Sequence, residues 1–258
     1  ANIGSAATLI GNPQNMLIGQ VLGLSFLRYM GQAIIPCLLS LGAVWLVIRW
    51  CYRSRWHLEM ALPEVPPTAY DSWQTKKGLV VLGVLVGFFL FSTTAREVLA
   101  LFAAGILLMS RRTASSRFLS LVDWHLLVLF MGLFVINHSL QTSGLLESGL
   151  AQLRTFGIDL NSAPWLAAIT VLLSNLVSNV PAVMLLLPAS SHPDAGVILA
   201  LASTMAGNLL LVGSIANLIV VEEAADLGVV VSWREHARVG VPVTLLSLLI
   251  TAGWLVIT

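Results

Sequence analysis

The feature that most restricts this sequence is a series of long apolar tracts that contain almost no charged residues. A helix needs about 20 apolar residues to cross the roughly 30 Å hydrocarbon layer of a bilayer. Only 10% of the residues are charged, against about 25% in an average soluble domain, so a soluble domain of this composition would not stay dissolved. We therefore predict an all-α integral membrane protein, with spans at residues 31–48, 78–94, 98–109 (a short one), 124–139 and 240–258.

Charge, cysteine content and the start of the chain exclude other classes of protein. The net charge of +1 excludes a polybasic nucleic-acid binder and an acidic disordered chain. Cys37 and Cys51 form neither a disulfide framework nor the spacing of a metal site. We expect no signal peptide, because no basic segment followed by a short apolar one opens the sequence. Since residue 1 lies inside what looks like a functional element, we expect the chain to be N-terminally incomplete.

Three further apolar tracts, residues 1–21, 164–188 and 195–221, are interrupted by Gly, Asn, Ser or Pro. The second of them holds four small polar residues within six positions, and an unpaired amide or hydroxyl in hydrocarbon costs several kcal/mol. Pro181 removes a backbone donor and disfavours helix at Val180. We predict a helix–tip–helix hairpin over residues 163–188, whose tip is formed by Ser174, Asn175, Ser178, Asn179, Val180 and Pro181.

The other two interrupted tracts predict helices that unwind within the membrane. Glycine permits the unwinding, while Ser, Thr and Asn side chains and free carbonyls supply oxygen atoms that can coordinate Na⁺. Helix N-termini at such breaks attract an anion. In the broken helix over residues 195–221 these positions are Gly207, Asn208, Gly213, Ser214 and Asn217; in the first tract they are Ser5, Thr8, Gly11, Asn12 and Asn15, with Pro13 fixing the break.

The two broken helices belong to an internal repeat. Any single match between apolar segments is a weak signal, but several matches in the same order are a stronger one. Three stretches match in this way: residues 11–18 with 213–220, residues 25–26 with 232–233, and residues 45–48 with 254–257.

The distribution of Lys and Arg orients the two copies oppositely. If the loop after Ile48 is cytoplasmic, ten of the 13 basic residues lie inside, as the positive-inside rule demands. This bias requires residues 164–188 to enter and leave on the outer side, as a re-entrant hairpin. The result is the inverted-topology repeat of many secondary transporters. We predict that residues 1–50 end the first copy, residues 51–77 form a cytoplasmic linker, and residues 78–258 make up the second copy.

No acidic residue is placed to act in the membrane interior. All 12 Asp and Glu residues fall in loops or at span ends. This argues against a hydrolase, a buried acid–base pair and a proton relay built on carboxylates. We therefore predict a protein that is not an enzyme and has no cofactor, with Na⁺ as a candidate coupling ion.

The segment from Gly4 to Asn15 and the later hairpin and broken helix resemble the ion transporter superfamily of arsenite permeases, sodium-coupled dicarboxylate and sulfate symporters, and citrate transporters. The resemblance is nearest to bacterial permeases described only as probable anion transporters. It implies an elevator-type carrier, usually a homodimer, in which hairpin tips and broken helices bind sodium and the substrate anion.

The resemblance also assigns individual positions. Val180 and Pro181 stand where the symporters have Thr, which is closer to the arsenite permeases. The matching residues are Ser178 and Asn179 at the tip, Gly213, Ser214 and Asn217 in the second broken helix, and Gly11, Asn12 and Asn15 in the first. The candidate sodium ligands among them are Ser178, Asn179, Gly213 and Asn217.

From these observations we expect secondary active transport of a small anion across the bacterial inner membrane, coupled to a sodium or proton gradient. The partners would be the anion and the lipid bilayer, with no nucleic acid. Three alternatives stay open at this point: an arsenite or antimonite efflux permease, a non-transporting half-protein that needs a partner chain, and a channel.

Overall fold

The computed structural model describes residues 1–53, 71–92, 94–109, 119–120 and 122–257, and within these residues the regular structure is entirely helical. The prediction of an all-α protein is confirmed. The helices are α1 (Asn2–Ser5), α2 (Pro13–Val21), α3 (Phe26–Cys51), α4 (Ser72–Phe91), α5 (Arg96–Leu108), α6 (Trp124–Thr142), α7 (Leu145–Thr155), α8 (Ala163–Val177), α9 (Asn179–Leu186), α10 (Ala195–Ala206), α11 (Ile215–Asp226) and α12 (Trp233–Ile257), with 3₁₀ turns at Leu187–Ala189 and Leu211–Gly213.

The chain forms two compact units. One comprises residues 1–58 and 133–258, and the other comprises residues 59–132. In the second unit α4 packs on α5, and the Lys77 ammonium donates to the Ile106 carbonyl at 2.7 Å. The predicted linker at 51–77 lies largely outside the described residues.

Among the described residues, three helices are long and apolar enough to cross a membrane: α3, α4 and α12. Helix α3 contains the whole predicted span at 31–48. Helix α4 contains residues 78–91 of the span predicted at 78–94, and α12 contains residues 240–257 of the span predicted at 240–258. The predicted span at 124–139 falls in α6, which bends by 66° into α7, so that the bent pair is a fourth candidate. Helix α7 was not predicted. The tract at 98–109 forms α5, whose 13 residues are fewer than a crossing helix needs.

The core of the larger unit is α10, in which all 12 residues are buried. Apart from Ser203 and Thr204 its residues are apolar or glycine, which is typical of a helix surrounded by others. Helices α1, α2, α3, α8, α9 and α12 all pack against it. The helix that leads into the second break is therefore held from every side.

The predicted helix–tip–helix hairpin corresponds to α8 and α9, which pack against each other and meet at Ser178. The prediction that Pro181 would disturb the helix at Val180 is wrong, because Val180 lies within α9. Pro181 sits in the first turn of α9, where a backbone N–H has no partner within the helix, so the missing donor costs nothing. The chain breaks three residues earlier instead.

Helices α3 and α12 pack along each other. Each begins at a serine cap: Ser25 Oγ accepts from the Arg28 N–H, and Ser232 Oγ accepts from the Glu235 N–H. The Trp254 indole donates to the Gln32 carbonyl at 2.8 Å. The two long helices thus begin alike and brace the broken helices beside them.

Candidate functional site

The first break lies between α1 and α2 and is fixed by local chemistry. Asn12 caps α2 by accepting from the Asn15 N–H at 2.8 Å, and Pro13 occupies the first position of the helix, where its fixed φ suits a helix start. The Asn15 amide donates to the Thr8 carbonyl at 3.0 Å. A Cβ at Gly11 would overlap the Ser5 carbonyl oxygen, so only glycine fits there.

The second break lies between α10 and α11 and repeats this pattern. Ser214 caps α11 and accepts from the Ala216 N–H at 3.2 Å. The Asn217 amide donates to the carbonyls of Gly207, at 2.8 Å, and Leu210, at 3.2 Å. With the repeat offset of 202 positions (213 against 11), the Asn217 to Leu210 bond is the counterpart of the Asn15 to Thr8 bond.

Asn2 joins the two breaks directly. Its amide nitrogen donates to Asn208 Oδ1 at 3.1 Å and to Asn217 Oδ1 at 3.0 Å, and its own Oδ1 accepts from Ser214 Oγ at 2.8 Å. From the other side, the Asn12 amide donates to Thr204 Oγ1 at 3.3 Å and to Ser5 Oγ at 3.0 Å. One hydrogen-bonded cluster therefore spans both broken helices.

The contacts between the two breaks are reciprocal. Asn12 of the first half bonds Thr204 of the second, and Ser214 of the second bonds Asn2 of the first. At the same offset, Asn12 corresponds to Ser214 and Asn2 to Thr204. An exchange of this kind is what an approximate two-fold axis produces, and it is the relation between halves in an inverted repeat.

The hairpin tip reaches this cluster through Asn179, whose side chain is 5% exposed. When both ends of its amide have partners, the nitrogen donates to the Ser203 carbonyl at 3.1 Å, to Ser174 Oγ at 3.2 Å and to the Gly213 carbonyl at 3.3 Å, while the oxygen accepts from the Gln14 amide at 3.3 Å. The hairpin and both broken helices thus meet at one buried amide.

Ser178, at the tip itself, has a backbone conformation that side chains rarely adopt. Its φ of 77° and ψ of 161° lie in a region occupied almost only by glycine, at a cost of about 1–3 kcal/mol. It is the one residue other than glycine with positive φ in the described part of the chain. Strain of this kind is concentrated at functional sites.

Two buried amide oxygens in this region lack a hydrogen-bond partner among the described residues: Asn15 Oδ1 and Asn175 Oδ1. The Asn175 oxygen faces Gly213, where it would lie 3.3 Å from an added Cβ, while its nitrogen donates to the Val171 carbonyl at 2.9 Å. In secondary transporters, uncharged oxygen atoms at breaks in a helix are the ligands that bind Na⁺. An oxygen without a hydrogen-bond partner at such a break therefore fits that ion.

The predicted site residues contribute in different ways. The structure brings ten of them into or against one cluster, eight through their side chains and Gly207 and Gly213 through their backbone carbonyls. The other positions contribute less. Thr8 and Gly11 contribute only backbone, Asn15 turns its amide toward Thr8 and the Tyr29 hydroxyl, and Val180 and Pro181 offer no side-chain oxygen. The ten are Ser5, Asn12, Ser174, Asn175, Asn179, Gly207, Asn208, Gly213, Ser214 and Asn217. Ser178 is the strained tip residue beside them.

Sequence reasoning missed four members of the cluster: Asn2, Gln14, Ser203 and Thr204. Asn2 and Thr204 occupy equivalent places in the repeat, so extending the alignment upstream would have found both. Among the described residues, no Asp, Glu, Lys, Arg or His side chain is buried, and the small polar side chains that are buried belong to Asn, Gln, Ser and Thr.

Comparisons with known proteins place the chain among membrane transporters. The citrate transporter family matches residues 1–197. The 46 kDa membrane protein of Mycobacterium leprae is 29% identical over 99% of this chain and 65% of its own length. Inner membrane protein YbiR of Escherichia coli is 32% identical over 91% of the chain and 58% of its own length. Putative transporter arsB of Dictyostelium discoideum is 34% identical over 67% of the chain and 32% of its own length. The chain therefore spans about three-fifths of the length of the first two relatives.

Proposed function

The chain belongs to the citrate transporter family of integral membrane proteins, and on that premise we propose that it takes part in secondary active transport of a small anion across the bacterial inner membrane, coupled to a sodium or proton gradient. The family and the relatives named for an activity are transporters, not enzymes. Because the chain spans about three-fifths of the first relatives, the proposal concerns the part of the transport machinery that it contains.

The observation that carries the proposal is the uncharged cluster where three chain breaks meet. Asn179 of the hairpin and Asn217 of the second broken helix each contribute a buried or half-buried amide, and Asn2 links the second break to the first. Such groups are costly in a membrane unless they are paired. Transporters place them at discontinuous helices, where substrate and coupling ion bind.

We assign the cation and the anion to different atoms of this cluster. Oxygen atoms of Ser178, Asn179, Gly213 and Asn217 would hold Na⁺, and Asn175 Oδ1 is a fifth candidate ligand because it is buried without a partner. The N-terminus of α11, capped by Ser214, carries the positive end of a helix dipole and would attract the anion. Sodium bound nearby would strengthen that attraction.

Transport further requires that the site face each side of the membrane in turn. The broken helices and the hairpin are cross-linked by side-chain hydrogen bonds, so we expect them to move as one body.

Alanine at Asn179 and Asn217 tests the site. We expect the double variant N179A/N217A to lose gradient-driven flux of citrate, sulfate, phosphate or arsenite in proteoliposomes, because both amides order the tip and the break. The panel is run with and without sodium. Asn161, an exposed loop residue, provides the control N161A, which should transport normally. Unchanged flux in the double variant would reject the site.

An arsenite or antimonite efflux permease is the second candidate. Putative transporter arsB of Dictyostelium discoideum is 34% identical over two-thirds of this chain, and the buried Val180 offers no hydroxyl where the symporters are expected to have Thr. Arsenite flux that exceeds citrate, sulfate and phosphate flux in the same panel would favour this candidate.

A half-protein that needs a partner chain is the third candidate; the chain spans about three-fifths of the length of the first two relatives. It predicts that vesicles containing this chain alone show no flux. Co-reconstitution with a chain supplying the remaining two-fifths would then restore it. Flux by the chain alone would exclude this candidate.

A further inference from the structure

His236 occupies the place in α12 that Tyr29 occupies in α3. The serine caps Ser25 and Ser232 mark the starts of the two helices, and each ring lies four residues after its cap. The two helices are therefore aligned at an offset of 207 (232 against 25), independently of the broken helices that precede them.

Each ring bonds a backbone carbonyl at an equivalent place in a broken helix. The Tyr29 hydroxyl donates to the Ala6 carbonyl at 2.7 Å, and His236 Nε2 lies 3.1 Å from the Asn208 carbonyl oxygen. Asn208 corresponds to Ala6 in the repeat. A carbonyl only accepts, so Nε2 carries the proton and donates.

The Asn208 carbonyl is seated tightly in this position. Gly240 lies one turn after His236, and a Cβ there would be 2.5 Å from the Asn208 oxygen and 3.0 Å from His236 Nε2. Only a residue without a side chain lets the carbonyl approach α12 so closely. The donor ring and the glycine together form a socket for the Asn208 carbonyl.

The backbone held in this socket carries a member of the candidate site. Asn208 Oδ1 accepts from the Asn2 amide at 3.1 Å, and the same amide bonds Asn217 Oδ1 at 3.0 Å. A shift of the Asn208 backbone would therefore move one of the acceptors that orient Asn2. We propose that His236 is a positioning residue, which sets the geometry of the Asn2, Asn208 and Asn217 cluster by holding the Asn208 carbonyl against α12.

The two ring contacts differ in burial and in the number of hydrogen bonds that each ring makes. Tyr29 is 1% exposed and also accepts from the Asn15 amide at 3.0 Å. His236 is half-buried and borders a cavity of about 550 Å³ lined by Asn2, Asn208 and apolar residues of α3 and α12. The counterpart amide of Asn217 bonds backbone carbonyls instead of the ring. Within the described residues, His236 thus makes one hydrogen bond to its broken helix where Tyr29 makes two, so the His236 contact is the weaker of the two.

This inference deepens the proposed function and rests on it for its importance to transport, but its structural part is testable without transport. We would measure backbone hydrogen–deuterium exchange over residues 207–217 in the reconstituted protein. His236→Phe keeps a ring and removes the donor, so exchange there should rise about threefold to tenfold, as the loss of one hydrogen bond predicts. His236→Tyr supplies the donor used in the first half and should return exchange to within twofold of the wild type. His138→Phe, on the exposed face of α6, is the matched control and should leave the segment unchanged.

A second variant and a flux measurement complete the test. Gly240→Ala displaces the same carbonyl and should raise exchange over the same residues. In flux assays with the citrate, sulfate, phosphate and arsenite panel, the Phe variant should raise KM for the transported anion more than it lowers the maximal rate, and the Tyr variant should reverse this. One outcome is a wild type that shows no flux while His236→Phe raises hydrogen–deuterium exchange over residues 207–217 and His236→Tyr restores it. In that case His236 is a positioning residue and the proposed function fails. Equal exchange in the wild type and the Phe variant, or a rise spread evenly over α10 and α12, would overturn the inference.

Discussion

Gly11 shows how a single residue sets the geometry of the first break. A Cβ at this position would overlap the backbone oxygen of Ser5, and backbone cannot move aside as a flexible side chain can. Gly4, seven residues earlier, has no atom within 4 Å of an added Cβ. Two glycines in the same motif therefore have different reasons to be there, and only one of them is sterically required.

We expect Gly11→Ala to reduce the melting temperature sharply or to prevent folding, because the α1–α2 turn cannot close around the new methyl group. Gly4→Ala should be neutral or slightly stabilising, since alanine is preferred over glycine in a helix by about 0.5–1 kcal/mol. Thermal unfolding of both purified variants in one detergent checks this. Equal melting temperatures would contradict the steric argument.

At the scale of elements, the hairpin stores strain at its tip. Helices α8 and α9 are separated by Ser178 alone, so the whole change of direction falls on one residue with φ of 77°. Glycine would adopt this conformation without cost. A serine there suggests that its hydroxyl is used, in keeping with the proposed sodium site.

Ser178→Gly should stabilise the protein by about 1–3 kcal/mol through relief of this strain, while raising the sodium concentration needed for half-maximal flux. Ser178→Ala removes the hydroxyl but keeps the strain, so it should weaken the sodium dependence without raising the melting temperature. Denaturation and sodium titration of flux separate the two effects. A stabilised glycine variant with unaltered sodium dependence would remove Ser178 from the cation site.

At the scale of the whole molecule, the two halves match in hydrogen bonding but differ in burial. Helix α2 packs against α9 and α10, and its Ile18 is fully buried. The equivalent Val220 in α11 is 57% exposed, and none of the residues of α11 is buried. The hairpin therefore covers α2 of the first broken helix, and within the described residues α11 of the second has no equivalent cover.

Ile18→Ala should destabilise the protein by about 2–5 kcal/mol, as cavity-forming changes in a packed core do. Val220→Ala should change stability by less than about 0.5 kcal/mol, as exposed positions generally do. Denaturant titration in a single detergent compares the pair. A large loss at Val220 would mean that another chain covers α11 in the purified protein, which would favour the half-protein candidate. The domain boundaries and the homodimer stay predictions.

Most of the helices, though not α7, the breaks and the uncharged nature of the candidate site could be predicted from the amino-acid sequence. Apolar tracts of spanning length and the caps Asn12 and Ser214 act through neighbours in the chain, so their effect is visible locally. The repeat matched residues 11–18 with 213–220, which located both breaks before their contacts were known.

Only the tertiary structure decided which polar groups meet. Asn2 and Asn217 are 215 positions apart, and the sequence around either residue does not identify the other as its hydrogen-bond partner. The hairpin turns at Ser178 although Pro181 predicted a disturbance at Val180, because the packing of α9 into the core decides where the helix starts. Short-range chemistry determines where a chain can bend, whereas the pairing of buried amides depends on segments that packing alone brings together.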